Sequence, residues 1–211
     1  VVIGGAVEVM SMVPIGSNIK DGYDAGHGLP FDSDGMSERY PGIFFSQFSG
    51  AEMMAEKWNL SREDLDRFAL SSHQKAAAAV EGKYFDREIL PVQAKNEEGK
   101  TDMVLNDEGI RYDASFEALS GLNPITEGGV ITAGNASQIT DGAAAVMICN
   151  DEGLKKIKAD PRARIKGISV VGDDPVMMLS GPIPASRQVL NATNLSINDI
   201  DLYEVNEAFA P

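Results

Sequence analysis

Cysteine is nearly missing from this chain. Among 211 residues there is one, Cys149, so no disulfide framework can form within it, and such usage fits a reducing compartment. Histidine is almost as scarce, with His27 in a Gly/Pro-rich stretch and His73 in a helical one. Neither has a neighbouring nucleophile in the sequence. There is no Cys-x-x-Cys and no pair of histidines at helical spacing, which removes the familiar metal-ligand patterns. A Gly-rich phosphate loop of either common type is also missing. No apolar run approaches the roughly 20 residues needed to span a bilayer. Basic residues are outnumbered, 18 Lys and Arg against 32 Asp and Glu, for a net charge of −14. With no Lys/Arg cluster, this argues against nucleic acid or an anionic membrane as partner. Any anionic ligand must be held by local groups.

What is present is enough apolar residue, 43% of the chain against 24% charged, to bury a substantial core. Residues 1–9 are β-branched and Gly-interrupted, as in a buried strand with close backbone neighbours. From Pro14 to Pro41 the composition turns to Gly, Pro, Ser and Asp without periodicity, a long surface excursion. Ser49 and Glu52 then stand in capping-box positions for one helix. Ser61 caps a longer helix, with an inner stripe of Leu65, Phe68, Ala69, Ser72, Ala76 and Ala79 and a natural stop at Gly82. "EILPVQA" and "TDMVL" flank the charged turn "KNEEGK" and predict a β-ribbon. "GGVIT" reads as a short strand, "AAAVMIC" as a strand preceded by closely packed alanines, "DEGLKKIKAD" as a helix and "ARIKGISVVG" as a strand. Pro182 and Pro184 mark a helix start, and "IDLYEV" reads as a last strand. Strands and helices alternating on both sides of an insertion indicate an α/β protein interrupted by a separate lobe.

Catalytic groups are hard to find by composition. Cys149, inside an apolar run, reads as a small buried hydrophobe. The acidic pairs Glu63/Asp64 and Asp173/Asp174 fall at a helix start and a turn, where capping explains them. Three loops of small or polar residues remain, "TAGNASQ", "SGPIPAS" and "EVNEAFA", each where a strand meets another element. Strand ends of this kind are where open α/β sheets bind ligands.

Those loops, with "GGAVEVMSMVP", "SREDLDRFALSSHQKA", "TAGNASQITDGAAA", "DDPVMMLSGPIPASR" and "VNEAFA" in that order, resemble the thiolase family of acyl-CoA C-acyltransferases over nearly the whole chain. The resemblance implies an α/β fold of layered α-β-α-β-α type, present in part, with an inserted α+β loop domain. Residues 1–12 and 128–150 would belong to the first thiolase half, 13–127 to the loop domain and 151–211 to the opening of the second half. It further implies that the chain is the middle portion of a longer protein. Thiolases carry a nucleophilic Cys before this region, and a Gly-His-Pro histidine and a Cys-x-Gly-x-Gly cysteine after it. None of the three is among these residues.

By the same resemblance, Asn206 of "VNEAFA" matches the asparagine that holds a water at the oxyanion hole, although a helix N-cap would also suit it. Ser137 matches the serine that binds the pantetheine arm of CoA, with Ala133 and Ala136 shaping a narrow tunnel. Arg111 matches a basic residue near the CoA nucleotide. Met178, Ala208 and Phe209 would line the acyl or pantetheine end, with ordinary core packing as the alternative for each. The implied substrates are CoA thioesters, with no further cofactor and no metal. The implied assembly is a homodimer or homotetramer, and the implied location the cytoplasm or an organellar matrix. Where short-chain biosynthetic thiolases have His-Met-Gly, this chain has Ser46, Gln47 and Phe48, which leans toward a degradative 3-ketoacyl-CoA thiolase. A thiolase-like CoA- or lipid-binding protein without catalytic residues is the other reading, and the residues flanking this segment separate the two.

Overall fold

Paired strands and capped helices are arranged in two units in the computed structural model, which describes residues 1–95 and 99–211. The centre of the charged "KNEEGK" turn, residues 96–98, lies outside the described residues. One unit comprises Val1–Met53 with Ile139–Asn206, the other Met54–Gln138 with Glu207–Pro211.

In the first unit, β1 (Val2–Val9) pairs antiparallel with β4 (Asp141–Ile148), from Val2 opposite Ile148 to Val9 opposite Asp141. Small residues let the two backbones pair closely. A Cβ on Gly5 would stand 3.1 Å from the Ala144 carbonyl. The alanine run therefore lies in the strand itself rather than packing beside it. The ribbon's end is fastened by Ser11, whose N–H and hydroxyl both donate to the Asp141 carboxylate, and these bonds hold that carboxyl below its usual range. Contrary to the sequence expectation, β1 is not buried. Ile3, Val7 and Val146 are all well exposed, because both sheets among the described residues have only two strands.

The Pro14–Pro41 excursion contains two short helices, α1 (Ser17–Asp24) and α2 (Asp34–Arg39), the second capped by Ser33. α3 (Gln47–Lys57) starts two residues before the expected cap, so Ser49 and Glu52 lie inside it. Gly50 of α3 faces the Met177 carbonyl closely enough that a Cβ would collide with it. After β4, Cys149 is half-buried rather than buried, and Asn150 caps α6 (Asp151–Ile157) through the Gly153 N–H. α7 (Pro182–Thr193) begins at the expected proline. Neither residues 163–172 nor residues 200–205 form a strand. Both segments are exposed, with Val170 and Leu202 nearly fully so, and extended backbone without a neighbouring ladder has no reason to become a strand.

The second unit is built around α4 (Arg62–Glu81). Its N-terminus carries the full capping box. The Ser61 hydroxyl accepts from the Asp64 N–H, and the Asp64 carboxylate accepts from the Ser61 N–H and hydroxyl. Those donors hold the Asp64 carboxyl below its ordinary range. α4 packs against α5 (Phe116–Ser120), and Leu65, Ala69, Leu119 and Ile131 form the buried core. β2 (Val92–Lys95) and β3 (Thr101–Val104) make the expected antiparallel ribbon. Instead of the short strand expected over "GGVIT", only an isolated bridge from Thr132 to Pro124 forms.

Candidate functional site

Side chains at 68, 69, 72, 73 and 76 share one face of α4, as helical spacing requires, and there they form one wall of a cleft of about 260 Å³. Gly134–Gln138 make the opposite wall, residues 107, 109 and 110 a third side, and Glu207 and Ala210 complete it. The whole cleft lies within the second unit.

Two chain segments far apart in sequence meet at its rim. The Ser137 N–H donates to the Ala208 carbonyl at 2.8 Å, the Ala210 N–H donates to the Asn135 carbonyl at 2.9 Å, and Ala136 bridges Phe209 as an antiparallel pair. Glu207 is tied back to α4, its carboxylate accepting from the Ser72 hydroxyl at 2.6 Å. The loop is also held from behind. A Cβ at Gly134 would meet the methyl groups of Leu122 and Leu119 at 2.6 and 2.7 Å, so glycine is what lets the loop lie against the core. On the third side, Gln138 Nε2 donates to the Gly109 carbonyl, and the Arg111 N–H donates to His73 Nδ1 at 3.2 Å. That bond requires Nδ1 to be unprotonated.

Of the residues named from sequence, Ala136, Ser137, Ala208 and Phe209 are brought together by this pairing. Ala136 and Ser137 line the cleft directly. Arg111 follows the lining residue Ile110, with its side chain exposed. Ala133 is exposed and does not line the cleft. Met178 and Asn206 belong to the first unit. Asn206 is exposed in an irregular segment.

Met178 adopts a left-handed backbone with φ of 46°, a conformation that costs a non-glycine residue energy. Its surroundings enforce it. Asp174 Oδ1 accepts from the N–H groups of Val176 and Met177, the Met178 N–H reaches the Asp174 carbonyl, and Ser180 donates to Asp173. The expected turn role of the Asp173/Asp174 pair is thus observed, as is the capping role of Asp64.

Three polar residues of the second unit are not singled out by the sequence. Asp66 and Asn135 are buried, and Arg62 is bonded to Asp66. The sequence signal for Asp66 is a carboxylate beside the inner stripe at Leu65, and for Asn135 a carboxamide flanked by Gly134 and Ala136, residues too small to shield it. Among the described residues, no group of His, Cys, Asp or Glu is arranged to hold a metal ion, and no helix is long and apolar enough to cross a membrane.

Comparison with known proteins places these features. Residues 1–152 match the family model described as "Thiolase, N-terminal domain", and residues 159–211 match "Thiolase, C-terminal domain". The chain is 45% identical to a steroid 3-ketoacyl-CoA thiolase of Mycobacterium tuberculosis, covering 100% of this chain and 51% of that protein. It is 39% identical to the acetyl-CoA acetyltransferase of Paracoccus denitrificans, covering 100% and 54%. Among solved structures, human mitochondrial 3-ketoacyl-CoA thiolase superposes with a TM-score of 0.78 at 35% identity, over 99% of this chain and 53% of that one. The acetyl-CoA acetyltransferase of Bacillus anthracis superposes at 0.74 and 40% identity, over 81% and 43%. The chain therefore spans about half the length of the curated relatives it matches and shares their mixed α/β fold.

Proposed function

Since the chain belongs to the thiolase family, we propose that it is the central part of an acyl-CoA C-acyltransferase. The whole protein would cleave a 3-ketoacyl-CoA with CoA, or run the reverse condensation. The single observation that supports this most directly is the pairing of Ala136 and Ser137 with Ala208 and Phe209 at the rim of the cleft. It joins two of the motifs on which the family likeness rests, and Ala136 and Ser137, which line the cleft there, have side chains small enough to admit a narrow pantetheine arm.

In this reading residues 1–12 and 128–150 belong to the first thiolase half, 13–127 to the inserted lobe and 151–211 to the second half. The two family matches, with their break between residues 152 and 159, support the last boundary. The nucleophilic cysteine, which forms the acyl-enzyme, lies outside these 211 residues. Cys149, half-buried just after β4, is assigned no catalytic role. The histidine that activates the nucleophile and the second, proton-transferring cysteine also lie outside. Asn206 supplies one element of the oxyanion hole for the developing enolate, Ser137 binds the pantetheine arm beside Ala136, with Ala133 outside the cleft itself, and Arg111 receives the nucleotide end. Met178, whose left-handed turn fits a residue kept in place for function, is assigned to the acyl or pantetheine end by the family likeness, as are Ala208 and Phe209.

CoA thioesters are the substrates, with no additional cofactor or metal, and the assembly is a homodimer or homotetramer in the cytoplasm or an organellar matrix. Bacterial and mitochondrial relatives support that placement. The relative named for a steroid 3-ketoacyl-CoA favours the degradative direction. Sequencing the coding DNA on both sides of the segment tests the proposal. An upstream Cys, then Gly-His-Pro and Cys-x-Gly-x-Gly downstream, is the expected result. Flanks without those groups would leave a thiolase-like CoA- or lipid-binding protein instead.

A further inference from the structure

The deepest charge in the second unit is Asp66, with none of its surface exposed. One carboxylate oxygen accepts from Arg62 Nε at 2.7 Å, and the other accepts from Asn135 Nδ2 at 3.0 Å. Arg62 also donates to the carbonyls of Leu119 and Leu122. A buried ion pair is weak evidence for net stability, because apolar residues of the same volume often serve as well or better. What this pair supplies is direction. The Asn135 carboxamide is fully engaged, its oxygen accepting from the Thr132 N–H at 2.8 Å and its nitrogen donating also to the Val130 carbonyl at 3.0 Å. The backbone carbonyl of the same residue takes the Ala210 N–H. Both segments that meet at the cleft rim are thus registered on residue 135.

We propose that Asp66 is a positioning residue for CoA-thioester binding: through Asn135 it sets the loop 132–138 and, with it, the tail 207–210. The inference rests on reading the cleft as the pantetheine site. A carboxylate is needed at 66 because it must accept from a guanidinium on one side and an amide on the other. An amide of the same shape has one acceptor oxygen, so D66N would turn a donor against a donor on one side without changing volume. Exchanging the two residues would not restore the network, because the Asn135 amide also donates to the Val130 carbonyl, which a carboxylate at 135 could only oppose.

The test is made on the full-length protein, measuring KM for CoA, kcat for thiolysis and the melting temperature. D66N is expected to raise KM for CoA by about 10-fold or more while the protein stays folded, since small misplacements in a binding site are costly. R62Q is expected to raise KM by less. A folded D66N with unchanged KM overturns the proposal. If D66N does not fold, R62Q decides by the same KM criterion. Absence of turnover in the unsubstituted protein would count against the thiolase reading alone, and calorimetric CoA affinity of D66N against the parent would then decide the role of Asp66.

Discussion

Ser137 and Ala208, 71 positions apart, are joined by a single backbone hydrogen bond, N–H to carbonyl at 2.8 Å. The bond brings the Gly-Asn-Ala-Ser loop against the Glu-Ala-Phe-Ala tail within one unit. Two stretches that look like separate small-residue loops are therefore one structural feature. It fixes the rim of the cleft by main-chain contacts that substitution of side chains leaves intact.

Replacing Ala136 by leucine tests the cleft side of that rim. Ala136 lines the cleft and is only partly buried, so a larger side chain has room to project into the opening without disturbing the core. In the full-length protein, Ala136→Leu is expected to raise KM for CoA with the melting temperature little changed. An unchanged KM would mean that CoA does not pass this residue.

Asn206 carries the proposed oxyanion-hole role. Asn206→Ala in the full-length protein is expected to lower kcat by about 10²–10³, the effect of removing one such donor element, with KM much less affected. A loss below tenfold, measured by steady-state thiolysis, would assign Asn206 a merely structural part.

Gly50 is predicted to be intolerant of substitution. A Cβ there would collide with the Met177 carbonyl, and main chain cannot swing aside as the end of a side chain can. Gly50→Ala is expected to destabilise the protein by about 1–3 kcal/mol, the usual cost of overpacking. Denaturant unfolding of the full-length protein reads this directly, and a midpoint equal to the parent's would contradict it.

The capping box of α4 predicts an acid-sensitive contribution. Hydrogen bonds from the Ser61 hydroxyl and N–H lower the Asp64 carboxyl in the folded state. The unfolded state therefore takes up the proton first as pH falls. The stabilisation is complete above the unfolded value of about 4 and is lost as pH drops through and below it. Ser61→Ala is expected to reduce stability at neutral pH, as loss of other caps does, and to flatten the acid limb of the stability curve. Equal slopes for parent and variant between neutral pH and pH 3 would refute the assignment.

Local signals make α4 legible in the amino-acid sequence itself. Ser61, Asp64, the Leu65/Ala69 stripe and Gly82 all lie within one helix length, and the observed helix runs between those limits. The same is true of the β2–β3 ribbon and of the proline start of α7. The run from Ile165 to Val170 shows the opposite case. Its residues favour a strand, yet a ladder partner is a tertiary fact that periodicity does not contain. α1 and α2 leave no such mark, because helices of 8 and 6 residues give too few turns for an apolar stripe. At the site, Ser137, Ala136, Ala208 and Phe209 are legible as family motifs. The Asp66–Asn135 hydrogen bond is not, since its partners are 69 residues apart and no local pattern links them.

The most direct test of the central claim is CoA-dependent cleavage of acetoacetyl-CoA by the protein expressed from its complete coding sequence, beside the 211-residue segment alone. The full-length protein is expected to release acetyl-CoA with turnover, and the segment, which lacks the family's nucleophile, to release none. A full-length protein that binds CoA but never cleaves the ketoacyl thioester, or a segment that turns over without it, would contradict the account.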